Sequence, residues 1–125
     1  MEYNQLKKAL GDWFTEILSI GISSKVPKKK VYPYLHYYLS SSDNPVRLRD
    51  DYILTCDFWD NSEDTTTIGE QAELIKTALN YGWYKDDNGF FQSHIIFNAE
   101  IPETTPNISR HQQRYLLKVR WYFYG

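Results

Sequence analysis

The sequence predicts an α+β fold: a single antiparallel β-sheet of about four strands packed against two helices, in the chain order α-β-β-α-β-β. Three observations predict it. Two stretches carry apolar residues on a helical stripe, four stretches alternate apolar and polar residues, and no regular crossover helix joins the strand pairs.

The first helix is predicted over residues 3–20. Leu6, Leu10, Phe14, Ile17 and Leu18 fall on one stripe, with Trp13 beside Phe14. Gly21 reads as its stop. Residues 23–30 form a polar connector that contains Pro27 and the run Lys28, Lys29, Lys30. The first strand is predicted over residues 31–39, with Leu35, Tyr37 and Leu39 on one face and Tyr34, His36 and Tyr38 on the other. Pro33 cannot donate to a ladder, so it marks the strand start or an edge. Residues 40–45 read as a loop.

The second strand covers residues 52–59. Leu54, Cys56 and Phe58 share one face; Ile53, Thr55, Asp57 and Trp59 share the other. An acidic loop over residues 60–66 leads into the second helix. Thr67 and Glu70 have the spacing of a capping box, in which each side chain satisfies an orphan backbone N–H. Ile68, Ala72, Ile75 and Leu79 follow on one face, and the helix ends near residues 80–82.

Residues 86–89, Asp-Asp-Asn-Gly, are a hairpin-turn signal. The third strand is predicted over residues 91–101, with Phe91, Ser93, Ile95, Phe97, Ala99 and Ile101 in phase. A polar loop over residues 102–112 follows. The last strand, residues 115–123, places Tyr115, Leu117, Val119, Trp121 and Phe123 on one face. Arg114, Lys118 and Arg120 lie opposite, the pattern of a sheet with one wet side.

A chain of 125 residues fits one domain, residues 1–125. It can bury roughly two-thirds of the surface its unfolded form exposes. No apolar run approaches the ~20 residues of a membrane span. The N-terminus has no apolar signal-peptide region, so a reducing cytoplasm is expected. Aromatic residues make up 17% of the chain. Two readings of that excess stand side by side, a surface that packs against other subunits and a strand-rich core with Tyr on half-exposed faces. A net charge of −2 gives little long-range attraction for nucleic acid.

The residues do not assemble an evident catalytic, metal or cofactor kit. Cys56 is the only cysteine, and on an alternating strand it reads as a small buried thiol. His36, His94 and His111 are far apart in sequence, although folding could bring one near Cys56. The acidic group Asp57, Asp60, Glu63 and Asp64 lacks the spaced ligands of an EF-hand loop and reads as a solvated loop favouring the next helix N-terminus. The glycines form no phosphate loop. The Lys28, Lys29, Lys30 run is either a solvated face or a contact for phosphate or an acidic partner. Arg114, Lys118 and Arg120 read as the wet face of a strand, which becomes an interface if it meets the acidic loop of a neighbouring subunit.

In this order the elements resemble the small tail-terminator, or tail-completion, proteins of phages and prophages, also described as minor capsid or head–tail joining proteins. The likeness runs roughly from Val31 to the end. It rests on the aromatic strand with Tyr32-Pro33-Tyr34, the strand ending in Phe58-Trp59, the acidic threonine-rich turn, the helix from Ile68 to Leu79 and two closing strands. The resemblance implies a structural role without enzymatic activity or cofactor. It implies a homo-oligomeric ring, often a hexamer, that caps the tail tube, meets head-completion proteins, and lets DNA pass without sequence readout. The implied location is the host bacterial cytoplasm during assembly and then the head–tail junction of the virion. Lys28, Lys29, Lys30, Asp60, Glu63, Asp64, Arg114, Lys118 and Arg120 are the candidate subunit or partner contacts. A head–tail connector or stopper in the neck, a protein-binding module unrelated to phage, and a small enzyme built around Cys56 and a histidine are the alternatives.

Overall fold

The computed structural model describes residues 2–24, 31–42, 50–80, 82–87 and 89–121. Its elements are α1 (Glu2–Ile17), β1 (Gly21–Ser23), β2 (Tyr34–Ser42), β3 (Asp50–Asp60), α2 (Thr66–Leu79), β4 (Trp83–Lys85), β5 (Gly89–Ile101) and β6 (Ser109–Trp121). The strands form one six-stranded sheet in the order β1-β2-β3-β6-β5-β4. β1 and β2 are parallel and every other neighbouring pair is antiparallel, so the sheet is mixed. It curls into a half-barrel.

This corrects the expected four-stranded antiparallel sheet. The four long strands overlap the stretches that alternation marked, with shifted ends, but two three-residue strands, β1 and β4, extend the two edges. Strands this short carry too few residues to show a period. Gly21 opens β1 rather than ending the first helix, and β4 is the near arm of the hairpin that the Asp-Asp-Asn-Gly turn announced.

Both helices pack on the same face of the sheet. From α1, Leu6, Leu10 and Phe14 are buried, and Leu18 follows just past the helix end. From α2, Ile68, Ala72, Ile75 and Leu79 are buried. They meet Leu35, Tyr37 and Leu39 of β2, Leu54, Cys56 and Phe58 of β3, and Tyr115, Leu117 and Val119 of β6 in one continuous cluster. Each such side chain contributes about 1.5–3 kcal/mol by leaving water. The core is therefore the main reason the helices dock. The Phe14 ring meets the Tyr37 ring edge-on at 5.3 Å. The Tyr37 hydroxyl donates to the Lys7 carbonyl at 3.0 Å, so the strand reaches up to the helix backbone. Gly11 permits that approach, because a β-carbon there would stand 2.5 Å from the Tyr37 hydroxyl. At the far end of α1, Gln71 of α2 accepts from the Ser19 N–H at 3.2 Å and donates to its hydroxyl at 3.3 Å, joining the two helices.

Several local expectations change. The predicted capping box is not formed: Thr67 lies inside α2, and Thr65 at the N-cap makes no side-chain cap bond. Asp64 takes the role, its Oδ1 accepting from the Thr66 N–H at 3.0 Å and the Thr66 hydroxyl at 2.6 Å. β2 starts three residues later than predicted and runs through Ser42. β6 starts at Ser109, inside the predicted loop, and Phe123 lies outside the described residues.

The phase of β5 is the largest local correction. A register shift between Ile95 and Phe97 puts Ile95 opposite Tyr115 but Phe97 opposite Arg114. One extra residue flips every later side chain to the other face. Phe91, Ser93 and Ile95 thus stay with the core, whereas Phe97, Ala99 and Ile101 join the helix-free face. Exposed backbone beside the shift is covered locally. The Ser93 N–H donates to the Gly82 carbonyl at 3.0 Å, the Ser93 hydroxyl donates to the Leu79 carbonyl, and the Ile95 N–H donates to Asn80 Oδ1 at 3.2 Å.

Candidate functional site

The helix-free face of β3 and β6 holds a connected polar group. Register sets Trp59 opposite Arg110, Asp57 opposite Gln112, and Thr55 opposite Arg114. Asp57 Oδ1 accepts from Arg110 Nε at 3.2 Å, Arg110 Nη2 at 3.1 Å and Gln112 Nε2 at 2.8 Å. Gln112 Oε1 in turn accepts from Arg114 Nη2 at 2.9 Å. The two guanidinium groups also lie on aromatic rings, Arg110 over Trp59 and Arg114 over Phe97, each at 4.9 Å. Arg110 reaches Glu103 as well, at 3.7 Å.

This face is therefore not simply wet. Asp57 is only 4% exposed, and Tyr34, Thr55 and Gln112 are buried too. In place of water, the buried Asp57 carboxyl has three N–H donors, two from the Arg110 guanidinium and one from Gln112. His36 sits opposite Asp57 on the β2 side. Burial lowers the His36 pKa, while Asp57 pulls it up.

The nine sequence-predicted contact residues divide. Lys28, Lys29 and Lys30 lie outside the described residues. Asp60 is buried, and its Oδ1 accepts from the Asn61 N–H at 2.8 Å, so it ends β3 rather than presenting a charge. Asp64 is exposed and engaged with Thr66, whose hydrogen bonds hold its carboxyl below the usual range. Glu63 is exposed and borders an open cleft of about 290 Å³ at the β5–β6 connection, with Glu100, Glu103, Asn107 and Arg110. Arg114, Lys118 and Arg120 share the helix-free face as expected, but Arg114 is tied into the Asp57 group. Acidic and basic candidates thus occupy different regions, one end of the sheet and one of its faces.

Sequence reasoning missed Arg110 and Gln112 because they fell in a segment read as loop. The signal was present: the alternation of Arg114, Lys118 and Arg120 continues backward through Gln112 and Arg110. Cys56 is fully buried in the core, and burial raises its thiol pKa far above the ordinary value. That disfavours the thiolate a nucleophile needs. Among the described residues no group of three His, Cys, Asp or Glu is placed to hold a metal ion, and no helix is long and apolar enough to cross a membrane.

No protein-family model matches the chain, and no curated protein is significantly similar to it.

The histidines give a first expected result. His111 Nε2 lies 2.6 Å from Asn98 Oδ1 and Nδ1 is buried without a partner. Asn98 Oδ1 can only accept, so Nε2 donates and Nδ1 is left as an unpaired acceptor. Protonating Nδ1 would turn it into a buried unpaired donor and add a charge. Burial accordingly lowers the pKa of both His36 and His111 below the ordinary value near 6.5. The unfolded chain then binds more protons than the folded one between about pH 6.5 and the lower folded-state pKa values. The histidines therefore cost nothing above that pH, stability falls as pH drops across the window, and the loss levels off below it. Thermal unfolding followed by circular dichroism should show a lower Tm at pH 5 than at pH 7.5. His111→Gln should flatten part of that slope.

Proposed function

We propose that the chain is a structural virion-assembly protein of a phage or prophage, a tail-terminator or tail-completion subunit that associates with copies of itself into a ring at the end of the tail tube. The observation that carries this reading is a pair of surfaces of unlike predominant charge, each crossed by an opposite charge, Arg110 in the acidic one and Asp51 opposite Lys118 in the basic one. Glu63, Glu100 and Glu103 border one end of the sheet. The helix-free face carries Arg114, Lys118 and Arg120 farther along β6. Rings are built head to tail from two different patches on each subunit, and opposite charge on the two patches favours that pairing over like with like. The aromatic rings under Arg110 and Arg114 fit the composition of protein interfaces. The sequence likeness to the tail-terminator family from Val31 onward points the same way, although the two short edge strands depart from the element order expected for it.

Two measurements test it together. Light scattering should find a closed oligomer, alone or once purified tail-tube protein is added, and pull-down should capture the tail-tube protein. Capture of portal or adaptor protein instead would move the role to the neck. A strict monomer that captures none of them would overturn the reading.

A further inference from the structure

The two outer edges of the sheet are stepped, and the steps match. On one edge β1 covers only the first part of β2, Tyr34–His36, through the pairs Gly21↔Tyr34 and Ser23↔His36. The rest of β2, through Ser42, has no strand beyond it among the described residues. On the other edge β4 covers only the first part of β5, through Trp83↔Gln92 and Lys85↔Phe90. Beyond the backbone partners of Ser93 and Ile95, residues 96–101 likewise have no strand outside them.

Following the register across the sheet gives the levels of these steps. Gly21, Tyr34, Trp59, Arg110 and Ile101 form one cross-strand row. Ser42, Asp51, Lys118, Gln92 and Trp83 form another. The added strand β1 therefore stands level with residues 99–101 of β5, and Trp83 of the added strand β4 stands level with Ser42, at the end of β2. We infer that the β1–β2 edge of one copy joins the β4–β5 edge of the next in a stepped joint, with β1 beside residues 99–101 and the Trp83 end of β4 beside the Ser42 end of β2. This rests on the self-association proposed above and names its interface.

Strand direction allows it. β5 is antiparallel to β2 and hence to β1, so the β1–β5 contact is an antiparallel pair; the β4–β2 contact is parallel. Unpaired edge backbone is a template for another chain, and native proteins usually blunt it with charge, proline or a cover. Here the edges instead carry exposed apolar groups. Trp83 on β4 is 62% exposed and Ile96 on β5 is 50% exposed, and Tyr38 of β2 is also exposed. Tyr3 is exposed over the same stretch, its hydroxyl 3.4 Å from the Leu39 carbonyl. A joint of unlike edges is heterologous, so repeated copies close into a ring or continue as a filament.

Disulfide trapping tests the joint. Gly21→Cys and Ile101→Cys put thiols in one row on the same face, and a side chain at position 21 meets only the Tyr34 β-carbon, at 3.8 Å. Cys56 is buried and stays silent. The double variant, alone and with purified tail-tube protein, is mildly oxidised, resolved on a non-reducing gel and sized by light scattering. A ladder of covalent multimers, lost on reduction and missing from a Gly21→Cys/Leu74→Cys control, is expected. Oligomers without a ladder would overturn the edge joint while leaving self-association standing. A monomer in both settings, with no ladder, would overturn both.

Discussion

Phe14→Ala is expected to destabilise the protein by about 3–5 kcal/mol, the range for removing a fully buried aromatic side chain. Phe14 has no exposed surface and is among the largest buried side chains. It is also the residue through which α1 meets Tyr37, and Tyr37 holds the helix backbone at Lys7. The cavity would thus open at the contact that fixes the helix to the sheet. Against a total stability of about 5–15 kcal/mol the loss is large. For a domain of this size it corresponds to a Tm lower by roughly 15 °C. Phe14→Leu, which keeps most of the volume, should cost less than about 1.5 kcal/mol. Urea unfolding of the three proteins, monitored by circular dichroism, decides the matter. A loss below about 1 kcal/mol for the alanine variant would mean that α1 contributes little to the core.

The core was legible because its two periods are long and unbroken. Four apolar side chains of α2 sit on one face at helical spacing, and the alternation of β3 and β6 extends over many residues, so burial follows from the pattern alone. Three things hid the rest. β1 and β4 are too short to display a period. The β5 register shift leaves Phe97, Ala99 and Ile101 in apparent phase with Phe91, so the sequence reads smoothly across the point where the backbone changes face. The Thr67–Glu70 spacing satisfies a capping pattern, but the Asp64 carboxylate binds Thr66 and the helix starts two residues earlier, with Thr65 at the N-cap.

The candidate site was only half legible, for a different physical reason. Arg114, Lys118 and Arg120 were visible as a stripe, and Asp57 was visible as a polar residue on the same strand face. Their connection was not, because it depends on which strand lies beside which. β3 and β6 are adjacent in the sheet though some fifty residues apart in the chain, and only that pairing brings Asp57 to Arg110 and Gln112. Nothing local in the sequence encodes it.

That pairing carries the second large expected effect. Asp57→Ala should cost about 3 kcal/mol, the low end for breaking a buried ion pair. The low end applies because the Arg110 side chain remains 23% exposed and keeps Glu103 within reach, whereas Asp57 is 5% exposed at its side chain. Gln112 would lose an acceptor at the same time. The Tm should fall by roughly 10 °C. The loss should change little with salt, since buried pairs are screened less than exposed ones. The cost comes from stranding Arg110 rather than from losing a strong net attraction. Asp57→Leu combined with Arg110→Met should therefore recover most of it, because apolar replacement of both partners of a buried pair is often neutral. If the double variant is as unstable as Asp57→Ala, the pair is not what holds this face together. Assembly supplies a separate readout. Asp57 holds Gln112, and Gln112 holds Arg114, so the double variant should regain stability while leaving Arg114 without its ordered partner. If the basic face is a subunit contact, that variant should form oligomers more weakly than the native chain at equal stability. Equal self-association, measured by light scattering over a dilution series, would remove this face from the interface and leave the sheet edges as the contact.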